Sequence, residues 1–172
     1  MIKSLEVCLV LHNLRSAHNV GAIFRTAEAA GVNKIYLTGY TSAPRDRFGR
    51  PNQGVMKSAL GAEEYVQWEK LSSVGRLLGK LSRAGFQLIA LEQAKQSTDY
   101  RLVKVSNSTA IIVGNEVSGL SQSILTKCQS VAEIPMRGRK ESLNVAVATG
   151  IFLFRHFISD SAGKSACRDR RV

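Results

Sequence analysis

A chain of 172 residues with 24 Lys and Arg against 13 Asp and Glu carries a formal charge of +11. That length suits one domain with a real core, and the charge favours a polyanionic partner such as RNA, DNA or an anionic membrane. The longest uncharged apolar stretch, Val145 to Phe154, is too short to span a bilayer, and MIKSLEVCLVLHN lacks the apolar run and cleavage site of a signal peptide, so no membrane partner and a cytoplasmic location are expected.

In chain order, EVCLVL from Glu6 to Leu11 is a run of strand length, followed by the polar loop HNLRSAHN. Val20, Ile23, Phe24 and Ala27 then recur at helical spacing with Gly31 in the position of a C-terminal stop; Asn19 falls in the first turn, and Arg25 and Glu28 share a polar face. KIYLTG from Lys34 predicts a second strand, which completes a β-α-β unit. The loop YTSAPRDRFGRPNQG carries Arg45, Arg47 and Arg50 around Phe48, and leads through a short helical VMKSALG to EYVQW, expected as an edge strand.

Ser72 or Ser73 is expected to cap a helix lined by Val74, Leu77, Leu78 and Leu81, ending at Gly85. FQLIALE is the next strand, followed by a polar connection, QAKQSTDYRLVKVSNS. Two further strands, Ala110 to Val113 and Val131 to Ile134, each lead into a loop rich in polar residues, GNEVSGL and PMRGRKESLN. In an open α/β sheet, ligands settle at the carboxyl ends of strands, so these loops are expected to share one ligand. Ser142 is a suitable N-cap for the last helix, which runs through VAVATGIFLF without a charge and should therefore be buried all round, by the sheet and by a second subunit. Strands alternating with helices predict an α/β fold with a mostly parallel sheet covered on both faces. One domain over 1–159 and a basic, poorly ordered tail over 160–172 complete the expected organisation.

Common site signatures fail on spacing. None of the 14 glycines lie two apart, which removes the dinucleotide fingerprint, and Gly163-Lys164-Ser165 lacks the glycine that a phosphate loop needs five residues earlier. There is no Gly-x-Ser-x-Gly elbow. Cys8, Cys128 and Cys167 are odd in number and far apart, so reduced thiols are expected, with Cys8 inside a strand. His12, His18 and His156 have no ligand spacing, and no metal is expected. A site built from main chain, amides, hydroxyls and a few charges remains.

The blocks HNVGAIFRTAEAAGV, VGNEVSGL and IPMRGRKESLNVAVATGI, in this order and spacing, resemble the three motifs of the SpoU or TrmH branch of the SPOUT RNA methyltransferases. The resemblance covers nearly the whole chain. It implies a SPOUT-type domain with a C-terminal deep trefoil knot, which the general rule against threading would never have suggested. It further implies a homodimer, S-adenosylmethionine as donor, and methylation of a ribose 2′-hydroxyl in tRNA or rRNA, with tRNA slightly favoured. A non-catalytic RNA-binding or assembly factor of the same fold is the alternative.

By the same resemblance, Arg25 matches the catalytic arginine, with Asn19, Glu116, Ser142 and Asn144 as the other polar site residues. Leu91, Glu92, Gly114, Asn115, Glu116, Gly119, Ile134, Pro135, Met136, Ser142, Leu143 and Asn144 are the expected donor contacts. Arginine stays protonated, so Arg25 is expected to orient and neutralise rather than act as base. Each residue also has a plainer reading: Arg25 as an exposed helix charge, Gly114 and Gly119 as turn residues, Pro135 as a strand stop, Ser142 as a cap. Glu116 could orient Asn19 or Arg25, and Asn144, expected to be buried, needs partners for its amide. RNA contacts are expected from Arg45, Arg47, Phe48, Arg50, Lys57, Arg137, Arg139 and Lys140, each of which singly could be a solvated charge. Ala146 departs from the family pattern, in which many members have serine after SLNV. Without a separate N-terminal RNA-binding module, target choice is expected to fall to the catalytic domain, the dimer and the tail from Lys164 to Arg171.

Overall fold

The computed structural model describes residues 5–158; the tail after 159, with Cys167 and Lys164 to Arg171, lies outside them. The elements in chain order are β1 (Glu6–His12), α1 (Ala17–Ala29), β2 (Lys34–Thr38), α2 (Gln53–Ala59), β3 (Gln67–Leu71), α3 (Val74–Arg83), β4 (Gln87–Leu91), β5 (Thr98–Asp99), β6 (Ser108–Val113), α4 (Gln122–Leu125), β7 (Ser130–Glu133) and α5 (Val145–Phe157). Short 3-10 turns at Ala62–Glu64 and Tyr100–Leu102 punctuate the chain.

All seven strands join one sheet in the order β3-β2-β1-β6-β4-β7-β5, and every pairing is parallel. Side chains alternate across the central strands and fill two cores. Leu9, Leu11, Ile89, Ile111 and Val113 face α1, α2 and α5, while Cys8, Val10, Leu88, Ala110 and Ile112 face α3 and α4. Phe24 of α1 and Phe152 of α5 are fully buried in the first core, and truncating either to alanine would cost about 3–5 kcal/mol.

The expected strands and the helices α1, α3 and α5 form where the apolar patterns place them. Ser73 caps α3 by accepting from the Arg76 N–H, and Gly85 follows its end at φ 87°. Three differences have local causes. Tyr65 and Val66 complete the turn after Ala62–Glu64, so the edge strand begins at Gln67 rather than within EYV. The polar connection after β4 holds β5 and the turn at Tyr100, and SQSIL holds the four-residue α4, segments too short for periodicity to mark. Finally, α5 is not buried all round: Ala146, Thr149, Phe152 and Leu153 face the core, but Val147 and Phe154 are 51% and 47% exposed.

His12, His156, Cys8 and Cys128 have ordinary structural surroundings. His12 shares hydrogens with Thr38 and Asn13, His156 with the Tyr100 carbonyl, and the described residues contain no group of metal-ligating side chains. Cys8 and Cys128 are free, and burial pushes both thiols up to about 11. No helix among the described residues is long and apolar enough to cross a membrane.

Candidate functional site

The order of the strands turns back on itself between the β1-β2-β3 side and the β6-β4-β7 side, and a cleft of about 390 Å³ opens there at the carboxyl ends of β4, β6 and β7. Its walls are Leu91 to Gln93 after β4, Val113 to Glu116 after β6, Ala132 to Ile134 and Met136 after β7, and Ser142 to Val145 with Ala148 at the start of α5; Asn19 of α1 closes one side.

The walls after β4 and β6 are held by side-chain to main-chain bonds. Glu92 reaches from the first loop to the second, its Oε2 accepting from the Leu120 N–H at 2.8 Å and its Oε1 from the Gln93 N–H at 3.0 Å. The Gly114–Gly119 loop closes so tightly that a Cβ on Gly114 would stand 2.7 Å from the Gly119 carbonyl carbon; Gly119 itself has φ 64°, and a Cβ there would meet the Glu92 carboxylate at 2.5 Å. Asn115 is spent internally: its Oδ1 accepts from Val117 N and Ser118 N, both at 2.8 Å, and its Nδ2 donates to the Asn13 carbonyl and the Tyr40 hydroxyl.

Three residues from separate segments form one chain of bonds. Asn144 Nδ2 donates to Asn19 Oδ1 at 3.0 Å, and Asn19 Nδ2 donates to Glu116 Oε1 at 3.0 Å. Glu116 also accepts from the Arg15 N–H at 2.9 Å and the Ser16 N–H at 3.1 Å, so a carboxylate sits on the N-terminus of α1, where a negative charge is favoured. Burial pushes the Glu116 carboxyl up, but the Arg15 and Ser16 N–H groups and the Asn19 amide outweigh it, and its pKa lies below the usual value.

Of the expected donor contacts, Leu91, Glu92, Gly114, Asn115, Glu116, Ile134, Met136, Ser142, Leu143 and Asn144 line the cleft. Gly119 and Pro135 do not: Gly119 acts by closing the loop on Asn115, at 2.9 Å from its N–H to the Asn115 carbonyl, and Pro135 is exposed. Ser142 is not the cap of α5. Asn144 is, accepting from the Ala146 N–H at 2.8 Å, and it is exposed rather than buried because its amide faces the open cleft. Sequence reasoning missed Gln93, Val113, Ala132, Glu133, Val145 and Ala148; their place at the strand ends and on the first turn of α5 was the available signal.

Arg25 does not share the cleft. Six residues beyond Asn19, it is turned about 240° around the helix and displaced by about 9 Å. It lines a separate depression with His18, Ala22, Lys57, Leu60 and Phe154, and no hydrogen bond or ion pair holds it among the described residues. Glu116 therefore orients Asn19, not Arg25. Of the expected RNA contacts, Arg45 is paired with Glu64 at 2.7 Å and Arg50 with Asp46 at 3.0 Å, while Arg47 and Arg50 lie over the Phe48 ring. Arg137, Arg139 and Lys140 are exposed on the loop after β7, and Lys57 shares the depression with Arg25.

Several known proteins are similar to this chain in sequence and in fold. A putative TrmH family tRNA/rRNA methyltransferase of Staphylococcus aureus is 33% identical over 155 residues, covering 90% of this chain and 60% of that protein. Thus the chain spans about 60% of the length of the curated relatives it matches. The AdoMet-bound rRNA methyltransferase from Sinorhizobium meliloti superposes with TM-score 0.79 at 32% identity, over 87% of this chain and 55% of that one. The TrmH/SpoU tRNA modifying enzyme of A. aeolicus superposes with TM-score 0.76 at 31% identity, over 89% and 74%. The model of the SpoU rRNA Methylase family matches residues 6–154, and the chain belongs to that family.

Proposed function

We propose that this chain transfers a methyl group from S-adenosylmethionine to a ribose 2′-hydroxyl of tRNA or rRNA. The observation that carries this reading is the bonded series Asn144, Asn19, Glu116 at the rim of a cleft formed by three strand-end loops. The cleft suits that donor. Apolar Leu91, Val113, Ala132, Ile134 and Ala148 offer surface for a purine, and three carboxylates, Glu92, Glu116 and Glu133, favour a cationic ligand in a chain otherwise strongly basic. The bound donor supplies the electrophilic methyl group.

The chain's own residues hold and orient. Glu116 fixes the Asn19 amide, and Asn19 fixes Asn144 at the mouth of the cleft, where amides can position a ribose hydroxyl for in-line approach. Arg25 supplies a fixed positive charge and a planar fork of donors for the ribose and its phosphate, which lowers the cost of forming the alkoxide. Its distance from its own cleft is reconciled by a homodimer. Val147, one turn from the cleft, and Phe154, beside Arg25, are exposed on the same helix seven residues apart, and α5 packs on α1 closely enough that a Cβ on Gly150 would stand 3.3 Å from Thr26 Cγ2. Two copies of α5 crossing antiparallel about a two-fold axis bring the Phe154 end of one to the Val147 end of the other, and Arg25 to the partner's cleft. A knotted C-terminal portion is inferred from membership of the family. A cytoplasmic location accords with these substrates.

The test is incubation with total tRNA, total rRNA and methyl-labelled S-adenosylmethionine, followed by nucleoside mapping. Label in a 2′-O-methylated nucleoside is the expected result. Label confined to bases overturns the ribose assignment, and donor binding without any transfer favours the non-catalytic RNA-binding alternative.

A further inference from the structure

We propose that Tyr40 is a stacking platform for a nucleobase of the RNA held at the cleft, a binding role separate from the basic residues. The ring is 58% exposed, yet the residue is fixed at several points. Its hydroxyl accepts from Asn115 Nδ2 at 2.8 Å, and its N–H donates to Asn13 Oδ1 at 3.3 Å. On either side of it, the carbonyls of Gly39 and Thr41 each accept from Lys70 Nζ at 2.6 Å. Asn13, the acceptor, has φ 57°, a conformation asparagine tolerates better than most residues.

An exposed tyrosine without a role has no need of such anchoring. Tyr65 is 80% exposed, and its side chain has no partner among the described residues. It precedes β3, at the end of the sheet away from the cleft. Tyr40 instead follows β2 at the carboxyl end of the sheet, and its hydroxyl is tied to Asn115, a cleft residue that is only 8% exposed and immediately precedes Glu116. A flat apolar surface held rigid beside a cleft, in a chain of charge +11, fits an unstacked base: every base has a π-face, and a fixed ring loses little freedom on binding.

This inference rests on the RNA methyltransferase reading, and the experiment separates the two. Wild type, Tyr40→Phe and Tyr40→Leu are compared by filter binding of unfractionated tRNA and rRNA, with calorimetric titration of S-adenosylmethionine alongside. Leu removes the ring at similar bulk, whereas Phe removes only the anchoring hydroxyl. Tyr40→Leu should bind RNA on the order of ten-fold more weakly than Tyr40→Phe, with donor affinity unchanged in both. In wild type, tetranitromethane nitration read by mass spectrometry should show RNA protecting Tyr40 and sparing Tyr65, a readout that stands even if the Leu variant fails to fold. Equal RNA binding by the two variants, or nitration of Tyr40 unaffected by RNA, overturns the platform. Resistance of Tyr40 to nitration before RNA is added means that a second protein chain covers it, and also overturns it. A wild type that binds neither RNA nor donor brings down both readings; one that binds both while indifferent to Tyr40 brings down the platform alone.

Discussion

The cleft and the α1–α5 face differ in how far each is complete within one chain. In the cleft, Glu92, Glu116 and Glu133 all have partners, the last accepting from Ser97 Oγ at 2.6 Å, and Asn115 has spent its amide on its neighbours. On the other face Arg25 is unpartnered among the described residues, Leu60 and Phe154 are exposed beside it, and Val147 is exposed a short way along α5. Polar side chains are tied down where the fold needs them fixed, whereas a free guanidinium next to exposed apolar side chains marks a surface whose partners come from elsewhere. Under the proposed function, donor binding belongs to the single chain and turnover to a pair of chains.

The largest effect that would sharpen this contrast is on turnover. Arg25→Ala should lower kcat by about 10²–10³-fold, in the range found when a charge-stabilising donor is removed, and leave donor affinity within about two-fold. Arg25→Lys keeps the charge and loses the fork; unchanged turnover in that variant would count against orientation by the guanidinium. Next in size, Phe154→Glu places a charge on the exposed face of α5. It should shift the protein to monomer in analytical ultracentrifugation and lower turnover, with donor binding by calorimetry retained.

A smaller effect is expected at the cap. Asn144→Ala removes both the cap of α5 and the bond to Asn19, and should lower stability to denaturant by about 1 kcal/mol from the cap alone. Glu116 sets an acid limit on the same network. Its pKa is depressed in the fold, so its stabilising bonds are complete above the ordinary value of 4.5 and are lost as pH falls through the lower folded value. Acid unfolding of Glu116→Gln should lack that portion of the pH dependence; superimposable curves would remove Glu116 as the clamp of α1.

Smallest is the contribution of single surface cations. RNA affinity should fall steeply with salt, and Arg47→Ala or Arg139→Ala should reduce the slope of log affinity against log salt by about one unit. Arg45→Ala should change it less, because Glu64 already holds that guanidinium at 2.7 Å.

Much of the fold is legible in the sequence because its strands are buried on both faces and read as continuous apolar runs, as in EVCLVL and AIIV, and because α1 and α3 bury one clear stripe. The four-residue α4 and two-residue β5 carry no period and are fixed by their neighbours. At the site, the loops that form the cleft are legible from polar residues following strands, and the motif resemblance selects Asn19, Glu116 and Asn144, which do meet. What pattern could not show is direction. Ser142 and Asn144 are both good caps, and only the turn into α5 decides between them. Likewise Asn19 and Arg25 lie on one helix in one motif, yet six residues of helical rotation send them to different surfaces.

The most direct measurement is complementation in mixed dimers. Arg25→Ala has a whole cleft and no guanidinium; Gly114→Val, whose side chain would collide with Gly119, has the guanidinium and a blocked cleft. Each alone should be at least about 10²-fold below wild type in methyl transfer to total tRNA and rRNA. Refolded together they should recover activity, since one site of each mixed pair joins an intact cleft to an intact Arg25. If the mixture stays as inactive as its components while wild type is active, Arg25 serves its own chain or none, and the assembly of the site across two copies is contradicted.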